Sequence, residues 1–203
     1  MTPAQEDPGR FERAVAAIDA ANGNDPSRIV VRGAERPKEL AHAELVTEWV
    51  RRLRPDASEE LLLAARAHHV RRWEIPRDSY PDGRSGYLRW RRALHELHAR
   101  IAGEILEDAG YEPAAVERVQ AIVRKRELAR DPDVQALEDA LCLVFLETQF
   151  DALADRLDAE KMDDVVRKTL VKMSDDGKRL ALELDLGDEE RAALTRAVRP
   201  PAG

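Results

Sequence analysis

Residues 65–100, ARAHHVRRWEIPRDSYPDGRSGYLRWRRALHELHAR, hold four of the five histidines in this chain and two of its three tryptophans, among many arginines. Imidazoles and carboxylates bind divalent ions, a bound ion acidifies water, and guanidinium groups grip phosphate. His42, His68, His69 and His98 are therefore candidate ligands, and Glu138 and Asp139 are the acids that could complete such a centre. The chemistry expected is metal-assisted hydrolysis with Mn, Zn, Fe or Mg. Asp139 would serve as ligand and catalytic acid, and Glu138 would orient or deprotonate water.

The arginine-rich stretch admits two readings. Arg72, Arg77 and Arg84, with Tyr80 and Trp90, could hold the phosphate and body of a substrate. The same arginines could instead brace carboxylates and backbone carbonyls, with the aromatic rings anchoring a loop. Both readings stay open at this level, as does a core role for His42, because a lone histidine on an apolar face is usually a hydrogen-bonded interior residue. Arg89 and Arg92 fall on a solvated helix face, and Arg124–Arg126 read as another or, alternatively, as the extension of a basic groove.

These residues must be positioned by helices. FERAVAAIDAANG has helical apolar spacing and ends at Gly23, and NDPSRIVVRGAERP reads as a loop. Pro37 opens a helix that puts His42, Leu45, Val46, Trp49 and Leu53 on one face. Asp56 with Glu59 resembles a capping box for ASEELLLAARAHHV, a central helix with His68 and His69 in its last turn. Two prolines and two glycines between Arg71 and Gly86 require an ordered loop. From Tyr87 the helical spacing resumes, with Leu94, His98, Ile101 and Ile105 in register. Helices from Pro113, from Val134 and over Lys161–Met173 follow. From Gly177 onward the pattern is ambiguous, with LALELDL reading either as a strand or as part of a helical clamp.

Composition agrees with an all-α, single-domain bundle of about seven helices over residues 1–203, with 1–10 and 199–203 frayed. Charged residues make up 36% of the chain and aromatics 4%, which favours helix over sheet. A formal net charge of −7 argues against broad attraction to nucleic acid or an anionic membrane. The single cysteine, Cys142, lies in an apolar run, which excludes a disulfide framework and suggests a reducing, cytoplasmic setting. Neither a G-x-S-x-G elbow nor a phosphate-cradling glycine loop is present, so acyl transfer and P-loop chemistry are not expected.

The order of an early His42, a His68–His69 pair closing a central helix and a late Asp139 resembles the HD-domain metal phosphohydrolases. His69 stands where that superfamily has its aspartate. The run H-x-x-R-W-x-I-P-R-x-x-Y-P-x-G-R-x-G-Y-x-x-W-R from His69 to Arg91, with LEDALCLVFLE, IDAANGNDP, PKEL and LVKMS, is similar to an uncharacterised family of bacterial and fungal proteins, domain of unknown function 4202. That resemblance puts His69, His98, Glu138 and Asp139 within family motifs and His42, His68 and His95 at looser positions. The resulting expectation is a metal-dependent phosphohydrolase of HD-like architecture acting on a small phosphorylated molecule or nucleotide. The alternative is a non-catalytic helical protein that binds nucleotide or RNA through its arginines and aromatic rings.

Overall fold

The computed structural model describes residues 9–128, 130–154 and 159–198. Of the ends expected to fray, only Gly9 and Arg10 are among them. Arg10 begins α1 (Arg10–Gly23) and is held, with its guanidinium 3.1 Å from Glu59 and stacked over Tyr111.

The segment after α1, read from sequence as a loop, is a hairpin of β1 (Arg28–Val31) and β2 (Ala34–Pro37), with Ile29 opposite Arg36. Its two-residue turn places Arg32 at φ 51° and Gly33 at φ 79°, both left-handed, as a tight hairpin of this length requires. The hairpin leads directly into α2 (Lys38–Leu53). Proline cannot donate there, and the helix start is secured by Asp25, whose Oδ2 accepts from the Glu39 backbone N–H at 2.9 Å.

α3 (Glu59–Ala67) is capped by Ser58, whose hydroxyl accepts from the Leu61 N–H at 3.2 Å. The cap is thus Ser58, not Asp56 as the sequence suggested. Leu61, Leu63, Ala64, Ala65 and Ala67 are buried, which makes α3 the central element, as its apolar run implies. His68 ends it, and the chain then turns through Arg71 at φ 54°, whose N–H donates to the buried Asn22 of α1 at 3.2 Å.

The expected ordered loop follows, with short 3-10 turns at Arg72–Glu74 and Arg77–Ser79, before α4 (Gly83–Asp108). α4 starts four residues earlier than the sequence pattern indicates. Gly86 permits this: a Cβ there would overlap the Pro81 carbonyl oxygen, so the loop crosses directly over the first turn of the helix. Gly86→Ala should destabilise the protein by about 1–3 kcal/mol, because the clash is with backbone and cannot be relieved by a rotamer change. Calorimetric melting of the variant would check this, and an unchanged Tm would contradict it.

α5 (Pro113–Val123), α6 (Pro132–Ala154) and α7 (Ala159–Leu170) complete the elements foreseen. The ambiguous C-terminal stretch forms two helices, α8 (Asp175–Leu182) and α9 (Asp188–Val198). LALELDL is not a strand: Leu180, Ala181 and Leu184 are buried at helical spacing, while Leu182 is exposed.

In the assembled bundle α2 packs on α3 and α6, and α5 fills between α3 and α4. α7 and α9 pack together beside α6, with α8 closing against α6. The core runs through Ile18, Leu61, Leu63, Leu106, Ile122, Leu137, Leu143 and Phe150. The result is all-α apart from the small hairpin. Among the described residues no helix is long and apolar enough to cross a membrane.

Candidate metal centre

Two helices converge three imidazoles. His42 sits on the buried face of α2, and His68 and His69 follow the last residue of α3. One ring nitrogen from each of the three lies within 4.8 Å of the other two. His42 Nδ1 is 3.1 Å from His68 Nε2, and the His42 and His69 rings are stacked with centroids 5.2 Å apart.

The opposite ring edges fix the proton positions. His68 Nδ1 lies 2.7 Å from the Ala65 carbonyl oxygen, and His98 Nδ1 lies 2.8 Å from that of Val70. A carbonyl can only accept, so both rings carry their proton on Nδ1 and present Nε2 as a lone pair. The His68 lone pair faces His42 Nδ1, and two such nitrogens can stay 3.1 Å apart only with a proton or a cation between them. Nitrogens about 2.0–2.1 Å from one shared ion stand roughly 3 Å from each other, so the spacing fits a common ion.

Burial keeps these rings neutral, the form that binds metal. It pushes His42 down to about 4 and, aided by His42 and opposed by the Ala65 hydrogen bond, holds His68 well below the ordinary imidazole value. His69 is likewise held low by burial and by His68 and Arg72. Its Nδ1 is 3.1 Å from Glu39 Oε2, an orienting carboxylate of the kind that supports metal-ligating histidines. Burial pushes Glu39 up to about 7, with Arg72 and Lys38 opposing the rise.

His98 stands beside this group rather than in it, its ring centroid 5.7 Å from that of His69. Among the described residues its Nε2 is buried without a hydrogen-bond partner, and burial pushes the ring down to about 3. Among the described residues Asp139 is also outside the group. Its carboxylate accepts from Gln135 Nε2 at 2.9 Å, from the Ser174 N–H at 2.8 Å and from the Ser174 hydroxyl, which fastens the start of α8. A side chain so engaged is a brace between α6 and α8 and stands apart from the imidazole group.

Glu138, one residue earlier, points the other way. With His42, His69, Arg91, Lys125 and Lys172 it lines a cavity of about 390 Å³. Its partner is Lys125, with which it forms an ion pair. Burial raises the Glu138 pKa, but Lys125 and Lys172 outweigh this and hold it below the usual carboxylate value, so it is ionised at neutral pH. Burial correspondingly lowers Lys125, with Glu138 opposing. Cys142 also borders the cavity, and burial pushes its thiol up to about 12, leaving it inert.

The arginine loop proves mainly self-supporting. Arg77 donates to the carbonyls of Tyr80 at 2.9 Å and Pro81 at 3.1 Å, and the Trp90 indole donates to Ile75 at 2.9 Å. Tyr80 is half-buried within this loop, and Arg84 is exposed over a separate shallow depression. None of Arg77, Tyr80, Arg84 and Trp90 lines the imidazole cavity, although Arg77 and Trp90 line a small depression with Arg72 and Glu39. Of the loop arginines Arg72 alone reaches the cluster, with Nη1 3.4 Å from His69 Nε2 and Nε 3.8 Å from Glu39, while its guanidinium covers Trp90. Sequence reasoning missed Glu39, Arg91, Lys125 and Lys172. A signal existed for Glu39, which precedes His42 by three residues and so shares its helix face.

The neutral imidazoles carry a pH consequence. Unfolded histidines bind protons near pH 6.5, whereas folded His42 and His98 resist protonation down to about 4 and 3. The unfolded state then holds more protons, so stability is present above pH 6.5 and is lost as pH falls toward 4. Each such ring contributes on the order of 3 kcal/mol to this loss. Glu39, raised to about 7, and Asp139, also raised by burial, act in the opposite sense, two groups against five lowered histidines. Urea unfolding of chelator-treated protein at pH 7 and pH 5 should give the lower midpoint at pH 5, and a higher one would contradict the buried neutral state.

A family model described as "Domain of unknown function (DUF4202)" matches residues 12–194. No curated protein and no solved structure matches the chain.

Proposed function

We propose that this chain, which belongs to the DUF4202 family, is a metal-dependent phosphohydrolase acting on a small phosphorylated molecule. His42, His68 and His69 hold one divalent ion, Glu138 handles the proton of water, and Arg91, Lys125 and Lys172 receive phosphoryl oxygens. The observation that carries this reading is the convergence of three neutral imidazoles, two of which, His42 and His69, line a cavity that also holds an ionised carboxylate and three cations. Imidazole donors suit Zn, Fe or Mn better than Mg, which prefers oxygen ligands.

When bound, such an ion supplies water of lowered pKa and positive charge against a phosphoryl oxygen. The residues of the chain do the rest. Glu39 orients His69, and Arg72 screens that pair from the loop side. Glu138 accepts a proton from water as its oxygen bonds to phosphorus. The ester P–O bond breaks, and the leaving oxygen takes a proton from solvent at the cavity mouth. Lys125 keeps Glu138 ionised for this role and, with Arg91 and Lys172, offsets charge on the phosphoryl oxygens.

The same reading sets the protein in the cytoplasm, where Cys142 stays a thiol. The alternative, non-catalytic nucleotide or RNA binding by the arginine loop, has less to stand on, since Arg77 and Trp90 are engaged by carbonyls of the loop itself. The test is phosphate release from a panel of phosphomonoesters and nucleotides with chelated protein resupplied with Mn, Zn, Fe or Mg. Release that requires Mn, Zn or Fe and stops on chelation is expected. No release with any ion would overturn the proposal.

A further inference from the structure

Next to the imidazole cavity lies an outer groove of about 550 Å³, and the two share Tyr87, Arg91 and Lys172 in their walls. Arg92, Arg124 and Arg126 complete a strongly basic lining. Among the described residues only Arg124 has an acid partner there, Glu96, at 2.7 Å. Arg92, Arg126 and Lys172 are exposed and make no ion pair among the described residues, although the chain carries a net charge of −7 and pairs many of its other arginines. Like charges gathered in one concavity repel, and the acids nearby, Glu96 on Arg124 and Glu138 in the inner cavity, are fewer than the cations, so the groove is suited to an anion from outside.

We infer that the substrate carries a second phosphate-like group, seated in this outer groove while the phosphoryl group to be cleaved enters the inner cavity. The substrate class is thus a small oligophosphate or bisphosphate rather than a simple monophosphate. This rests on the hydrolase reading of the inner cavity. Water adds to the inner phosphorus, the P–O bond on its far side breaks, the leaving oxygen gains a proton, and the outer group stays bound. Tyr87, 43% exposed between the two chambers, offers a ring face to the part of the molecule that joins its two anionic groups. A small molecule fits better than a nucleic acid, because an overall acidic chain repels a long polyanion beyond the groove.

The experiment is titration calorimetry of the metal-replete full chain with adenosine 5′-monophosphate, adenosine 5′-triphosphate, inorganic triphosphate and a ten-nucleotide single-stranded RNA, with free phosphate assayed in the same samples. Both triphosphates are expected to bind at least about tenfold tighter than the monophosphate. In the double variant Arg92→Ala/Arg126→Ala, whose positions are exposed, that ratio should fall below about threefold while the Tm holds. Equal affinities, a ratio unchanged in the variant, or RNA binding tighter than either triphosphate would overturn the inference. Preference without phosphate release supports the groove while removing the hydrolase, and release without preference does the reverse.

Discussion

Substituting His68 by alanine is expected to reduce bound metal from about one equivalent to below about a tenth and to lower turnover at least a hundredfold, since loss of even an outer-shell partner costs about 10–100-fold in metal affinity. His68 is the most informative choice. Its Nδ1 is tied to Ala65, so its free nitrogen has one direction to face, toward His42 Nδ1 at 3.1 Å. The cavity left by alanine also costs stability, about 1–3 kcal/mol for the lost hydrogen bond and packing, so the comparison must separate folding from binding. Asn22→Ala provides the control: it removes a buried hydrogen bond to Arg71 on the far side of the same turn without touching an imidazole. It should lower Tm and leave metal content unchanged. If both variants lose metal alike, His68 acts through folding and not as a ligand.

Glu138→Gln should keep the metal and lose about 10²–10⁴ in kcat, the range contributed by a positioned general base. Glutamine keeps the shape and an acceptor for Lys125 but cannot take a proton at neutral pH. Lys125→Met tests the other half of the pair. It leaves Glu138, with only 9% of its side chain exposed, without its cation, and breaking a buried pair from one side costs about 3–5 kcal/mol. The double variant Lys125→Met/Glu138→Gln should recover most of that stability, because no uncompensated charge remains. Melting curves and steady-state rates measured on all three would show stability and activity moving independently. A Glu138→Gln enzyme with undiminished kcat removes Glu138 from the chemistry.

The helices were legible because Ala, Leu and charged residues recur at helical spacing over long stretches, and their boundaries carry proline, glycine or, at the start of α3, Ser58. The hairpin was hidden because its strands are four residues each and its turn uses Arg32, a residue that gives no left-handed signal. The gathering of His42, His68 and His69 could be anticipated from an inward stripe on α2 and the end of α3. Their separation from Asp139 could not. Glu138 and Asp139 are adjacent on α6, and only the packing of Ser174 against that helix decides which carboxylate is engaged. Lys125 was misread as part of a wet helix face because α5 ends at Val123. Lys125 then adopts φ 56°, which turns its side chain inward to Glu138. Left-handed backbone at a lysine leaves no mark in the sequence.

The basic lining of the outer groove shows the same limit. Arg91 and Arg92 come from α4, Arg124 and Arg126 from the turn after α5, and Lys172 from the turn before α8. Arg91 and Arg92 lie in the arginine-rich stretch and Arg124 and Arg126 in a basic run, but that they meet with Lys172 in one concavity is decided only when the segments pack.

The central claim is that His42, His68 and His69 share one ion. Crystals of the full chain grown with Mn or Zn, and diffraction data collected on both sides of the absorption edge of that metal, test it directly. One anomalous peak within about 2.0–2.3 Å of a nitrogen from each of the three rings is the result expected. A map with no peak among these imidazoles, from protein that binds metal elsewhere or not at all, would contradict it.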